Sequence, residues 1–127
     1  MKVRKAPLKE FENILNSSTP CVVKFANDGC HLCVNLTPVY AKLAKKYSGK
    51  IDFFEVDTFE EKKLTEIFSD DGVPTIYFFV NGDAAEIPYP EDLHSGYSKE
   101  SLEEFFNDFL EGNIVIKWGK KWKQHMT

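Results

Sequence analysis

Apolar positions along the chain change period several times, and each change marks an element. Leu8, Phe11, Ile14 and Leu15 recur at helical spacing and stop at the polar run Asn16-Ser17-Ser18-Thr19-Pro20. Cys21-Val22-Val23-Lys24-Phe25-Ala26 is short, β-rich and mostly apolar, the pattern of a buried strand with one anomalous lysine inside. Cys33, Leu36, Tyr40, Leu43, Ala44 and Tyr47 then form one helical face, with Pro38 expected to kink the helix and Gly49 to end it. Ile51 to Asp57 predicts a second strand. Thr58-Phe59-Glu60-Glu61 has capping-box form and predicts a helix with Leu64, Ile67 and Phe68 inward. Beyond Asp70-Asp71-Gly72, Val73-Pro74 leads into the apolar strand Thr75 to Val80. Asn81-Gly82 predicts a tight hairpin into a weaker strand, Asp83 to Ile87. Pro88 to Tyr97 reads as a polar loop, and Leu102, Phe105, Phe106, Phe109 and Leu110 mark an amphipathic helix that ends at Gly112.

The expected order is α-β-α-β-α-β-β-α. A βαβ unit requires parallel strands and a right-handed crossover, whereas the Asn-Gly turn requires an antiparallel pair. The fold class is therefore α/β, a small mixed central sheet with helices on both faces. One domain, residues 1–112, accounts for all of it, followed by a tail at 113–127 of different composition. That tail holds Lys117, Lys120, Lys121 and Lys123 against Glu111 just before it, with Trp118 and Trp122 one helical turn apart.

The chain has 127 residues, 43% hydrophobic and 28% charged, enough apolar material for a core and too mixed in charge for disorder. Sixteen basic against twenty acidic residues leave −4, so no nucleic-acid partner is expected. The longest apolar run, Ile76 to Val80, is far short of a membrane span. Met1 to Pro7 carries charge with no apolar stretch behind it. A cytoplasmic protein is therefore expected, or one of the ER or another oxidising compartment if a signal has been removed.

Three cysteines are too few for a disulfide-stapled scaffold. Cys21 lies in an apolar run and reads as a small core residue. Cys30-His31-Leu32-Cys33 is different, because it opens the helix of the βαβ unit. That position sets the Cys30 sulfur near the free N–H groups and the positive end of the helix, which favours thiolate. Cys33 follows one turn later on the same side, within reach of a mixed disulfide formed at Cys30. A structural zinc site needs about four ligands, and beyond this pair only Cys21 and His31 are near in sequence, so no metal is expected. Val73-Pro74, just before a strand, marks a tight turn of the kind that accommodates a cis peptide bond.

Over roughly residues 7 to 111 the chain resembles the thioredoxin superfamily. The matching pieces are Val22 to Ala26, the Cys30–Cys33 motif, Pro38, Phe54-Glu55-Val56-Asp57, Gly72-Val73-Pro74-Thr75 and Phe79-Val80-Asn81-Gly82. Asn35 to Ala44, and more loosely Gly96-Tyr97, look like the protein disulfide isomerase branch. The resemblance implies a thioredoxin fold and a thiol–disulfide oxidoreductase without a bound cofactor, its redox group being a Cys30–Cys33 disulfide. It implies that Cys30 attacks, that Cys33 resolves, that Pro74 is cis, and that the Val73 backbone pairs with substrate. The partners implied are protein thiols and disulfides and an unidentified electron donor or acceptor, with the chain itself expected to be a monomer.

The chain departs from the family at three places. Gly29 stands where Trp is usual, so an aromatic platform for substrate is expected to be missing. His31-Leu32 replaces the more frequent Gly-Pro or Gly-His, and a partly positive His31 would support the Cys30 thiolate. Lys24 replaces the family's buried carboxylate, which is thought to relay a proton for the resolving cysteine. Its ammonium is expected either to reach water, Glu55 or Asp57, or to tune the redox pair. A catalytically weak binding or adaptor module is the competing class, separable by insulin reduction.

Overall fold

The computed structural model describes residues 3–89 and 96–116, and within them the chain opens on a strand that no alternation in the sequence announces. This strand, β1 (Arg4–Lys5), is two charged, exposed residues. Its pairing is decided by the free edge of another strand, against which Arg4 aligns with Phe54 and Lys5 with Glu55 in parallel register. The remaining elements follow the expected order: α1 (Leu8–Leu15), β2 (Cys21–Ala26), α2 (His31–Lys46), β3 (Asp52–Asp57), α3 (Lys62–Phe68), β4 (Thr75–Val80), β5 (Asp83–Glu86) and α4 (Lys99–Leu110).

The sheet order is β1-β3-β2-β4-β5, with β1, β3 and β2 parallel, β4 antiparallel to β2, and β5 antiparallel to β4. The expected mixed sheet is therefore present. Asn81 and Gly82 both take left-handed backbone angles, φ 52° and 84°, as a two-residue turn matched to the twist of its strands demands.

Alternation along the central strands divides the core in two. Val22, Phe53, Ile76 and Phe78 face α2 and α4, packing on Leu36, Tyr40, Leu43, Leu102 and Phe106. Val23, Phe25, Tyr77 and Phe79 face the other way, onto Phe11, Leu15, Leu64 and Phe68 of α1 and α3. By the same two-residue period Lys24 shares the α2 face with Val22. This places a lysine beneath the Cys30–Cys33 helix.

One local expectation is corrected. Thr58 does not cap α3, which begins later, at Lys62, with Glu61 at its N-cap and no side-chain cap bond. The chain first turns on Asp57, whose carbonyl accepts the N–H groups of Glu60 and Glu61 at 3.1 and 2.9 Å, and the Thr58 hydroxyl is taken by Asn27 at 2.8 Å. A reciprocal cap does occur on α4, between Ser98 and Ser101. Pro38 falls within α2, as the sequence places it, and the helix continues past it to Lys46.

Past Gly112 the chain returns to the core, and Ile116, only 6% exposed, lies in the α2–α4 cluster. Ile116→Ala should therefore lower stability by about 2 kcal/mol or more in denaturant titration, through lost burial and a residual cavity. An unchanged midpoint would mean that Ile116 contributes nothing to the core. Trp118, Trp122 and the tail lysines lie outside the described residues.

Candidate active site

Cys30 is the N-cap of α2, with extended backbone angles (φ −114°, ψ 114°) and a sulfur that accepts the Cys33 N–H at 3.1 Å. Its carbonyl accepts the Val34 N–H at 3.1 Å, so sulfur and carbonyl together close the first turn. A negative sulfur at this point gains from the unpaired N–H groups and the helix dipole. Cys30 is partly exposed, Cys33 is 2% exposed behind it, and both are thiols.

Burial, reinforced by the hydrogen bond with Cys30, pushes the Cys33 thiol up to about 12. Burial likewise raises Cys21, to about 11, and its thiol donates to the Thr19 carbonyl at 3.4 Å. These differences predict an order of reactivity. Limiting iodoacetamide at pH 7 to 8 should alkylate Cys30 first, since a thiol needs both access and thiolate character. Labelling of Cys33 and Cys21 should rise only at much higher pH or on unfolding. Mass mapping that found either of them modified first would overturn the assignment of Cys30 as nucleophile.

The Val73–Pro74 peptide bond is cis, and the Val73 carbonyl lies 3.8 Å from the Cys30 sulfur. The turn that sequence places far away thus borders the Cys30 sulfur directly. His31 and Leu32 divide between them the two sides of the helix start. His31 is exposed, while Leu32 packs toward Gly96, where an added Cβ would stand 3.6 Å from its Cδ1.

Lys24 is 3% exposed, and its ammonium sits 3.8 Å from a Glu55 carboxylate oxygen and 4.9 Å from the centre of the Tyr40 ring. Glu55 is its parallel-register neighbour on β3. Of the three destinations expected for this ammonium it takes Glu55, and it stays buried. Burial pulls its pKa down, while Glu55 and the Cys33 sulfur pull the other way. Lys24, Glu55, Cys33 and Thr37 line a groove of about 460 Å³ on the flank of α2, through which solvent reaches the ion pair. The Tyr40 hydroxyl beneath it donates to the Phe54 carbonyl at 2.7 Å, and burial keeps that phenol neutral.

Two further residues join the site without any sequence signal. The Tyr89 hydroxyl donates to the Pro74 carbonyl, and its ring lies 4.6 Å from that of Tyr97. Burial and then the two cysteine sulfurs raise its pKa, which places it in the field of the pair. Asn27 donates to Thr58 at 2.8 Å and accepts the Gly29 N–H at 2.9 Å, tying the approach to Cys30 onto the loop after β3. Tyr89 stands in an aperiodic segment that only the fold brings to the sulfurs, whereas Asn27 is near Cys30 in the chain and the fold adds its bond to Thr58.

Among known proteins, the chain is 36% identical over 84 residues to the chloroplastic M-type thioredoxin of Spinacia oleracea, covering 66% of this chain and 45% of that protein. It is 40% identical over 114 residues to the protein disulfide-isomerase of Gallus gallus, covering 87% of this chain and 19% of that protein. The chain spans about half or less of the curated thioredoxins it matches. In fold it superposes on the J-Trx1 fragment of ERdj5 with a TM-score of 0.74 at 24% identity, over 89% of this chain and 52% of that one. No helix among the described residues is long and apolar enough to cross a membrane. The Thioredoxin family model matches residues 2–108, a span that includes the cysteine pair and the cis proline, and the chain belongs to the thioredoxin family.

Proposed function

We propose that this protein is a thiol–disulfide oxidoreductase that exchanges disulfides with protein substrates through Cys30 and Cys33. The observation that carries the reading is the division of labour between the two sulfurs. One is partly exposed at a helix N-terminus and the other is buried one turn behind it.

In the reducing direction the Cys30 thiolate attacks one sulfur of a substrate disulfide. That S–S bond breaks, the departing sulfur takes a proton from water, and a Cys30–substrate disulfide forms. Cys33 then loses its proton to solvent in the groove and attacks the Cys30 sulfur. The second substrate sulfur is released, and the Cys30–Cys33 disulfide remains. Two electrons have passed to the substrate, and an external dithiol must return them. The reverse sequence introduces a disulfide, so direction follows from the partner and its potential.

The remaining residues take supporting roles. Val73 offers backbone to an extended substrate segment beside the cis Pro74, within reach of the Cys30 sulfur. Lys24 supplies positive charge to the Cys33 thiolate as it forms. His31, exposed in the first turn, adds to the field at Cys30 when protonated. No bound cofactor enters the cycle. Reduction of insulin with dithiothreitol as electron source tests the reading: turnover well above dithiothreitol alone is expected. A rate equal to dithiothreitol alone would instead support a binding or adaptor module.

A further inference from the structure

Phe59 is 64% exposed, an unusual position for a phenylalanine in a chain whose other aromatic rings largely fill two cores. It is also held there. Its N–H donates to the Asp57 carboxylate at 2.7 Å, and Glu60 and Glu61 close a turn on the Asp57 carbonyl. Thr58, next to it, donates its N–H to Ala26 at 3.0 Å and is gripped by the Asn27 side chain. Asn27 in turn accepts the Gly29 N–H. One side chain thus bonds both the residue before Phe59 and the residue before Cys30.

Gly29 completes the arrangement. A Cβ there would stand 3.3 Å from the Asn27 Oδ1 and 3.7 Å from the Phe59 ring. The ring edge therefore lies in the space that a larger residue at 29 would fill, one residue from the nucleophile. The aromatic surface expected to be missing at Gly29 is supplied from the neighbouring loop.

We propose that Phe59 is a specificity-determining docking surface, on which an apolar side chain next to the substrate's reacting cysteine packs while Cys30 attacks. The proposal rests on the oxidoreductase reading. Val73 and Pro74 border the Cys30 sulfur through the cis turn, and Phe59 flanks it through Gly29. A segment lying across Cys30 is thus offered backbone on the first flank and an apolar face on the second. The preferred substrate is therefore a disulfide whose reacting cysteine has an accessible apolar neighbour.

Three disulfide substrates test this: a synthetic peptide disulfide with Leu or Phe beside the cysteine, the same peptide with Ser there, and oxidised glutathione. The wild-type protein should prefer the apolar peptide over the Ser peptide in kcat/KM. Phe59→Ser should raise KM for the apolar peptide on the order of tenfold, the usual effect of losing one well-packed aromatic contact, and erase the preference. Rates with the Ser peptide and glutathione, and the redox potential of the pair, should not change, and Phe59→Tyr should restore the preference. A preference that survives Phe59→Ser, or a loss shared equally by all three substrates, would overturn the docking role alone. No wild-type turnover of any of the three would overturn the oxidoreductase reading and this proposal with it.

Discussion

Cys30→Ser is expected to bring insulin reduction down to the rate of dithiothreitol alone. A serine hydroxyl is not ionised near neutral pH and cannot take part in disulfide exchange, whatever the helix N-terminus does for it. Cys33→Ser should behave differently. Cys30 keeps its position at the N-cap and its exposure, so attack on the substrate disulfide still occurs, but the buried thiol that resolves the adduct is gone. A Cys30–substrate disulfide should then accumulate, visible as a covalent species on a non-reducing gel and removed by excess dithiothreitol. If Cys30→Ser retained turnover, or if the adduct formed through Cys33 in that variant, the assigned order of attack would be reversed.

The second large effect concerns Lys24. Its ammonium is buried beneath α2 in the field of the Cys33 sulfur, where it opposes in small part the rise in pKa that burial and the bond with Cys30 impose. Near neutral pH burial keeps Cys33 a thiol, so a positive charge beneath the pair favours the reduced form through the thiolate proposed for Cys30. The potential should accordingly lie above roughly −270 mV, typical of thioredoxins, and nearer the roughly −180 mV of disulfide isomerases. Lys24→Asp replaces attraction by repulsion and should lower the potential. Lys24→Met removes the charge while filling similar volume and should lower it less. Glu55, 3.8 Å from the ammonium and only partly buried, weakens the field without cancelling it. Redox titration against glutathione decides the matter. Potentials equal within about 10 mV, or ~0.5 kcal/mol for two electrons, would show that Lys24 does not act on the sulfurs.

Most of the scaffold was legible from local pattern. The face Cys33, Leu36, Tyr40, Leu43, Ala44 and Tyr47 is the buried face of α2, because a helix against a sheet repeats its apolar contacts every three or four residues. The Asn81-Gly82 hairpin was equally plain, since the turn needs left-handed angles that few residue pairs supply cheaply. β1 was not legible: two residues have no period, and Arg4 and Lys5 form a strand only because β3 offers an unpaired edge. The start of α3 was misplaced by the capping-box pattern, which cannot register that Asn27, thirty-one residues away, takes the Thr58 hydroxyl.

The site divides along the same line. Sequence alone determined the pair of cysteines, their place at the start of a helix and the cis-capable Val73-Pro74 turn, because each depends on residues adjacent in the chain. It also singled out Lys24 as out of place in an apolar strand. Only the tertiary structure decided that the Lys24 ammonium turns to Glu55 and stays buried, that Tyr89 bonds the proline turn, and that Phe59 stands beside Gly29. The reason is physical. Backbone conformation and helix polarity are set by near neighbours. Exposure, electric field and shape at a point are sums over every group within several ångströms, and folding brings those groups from β3, the loop after it and the segment after β5.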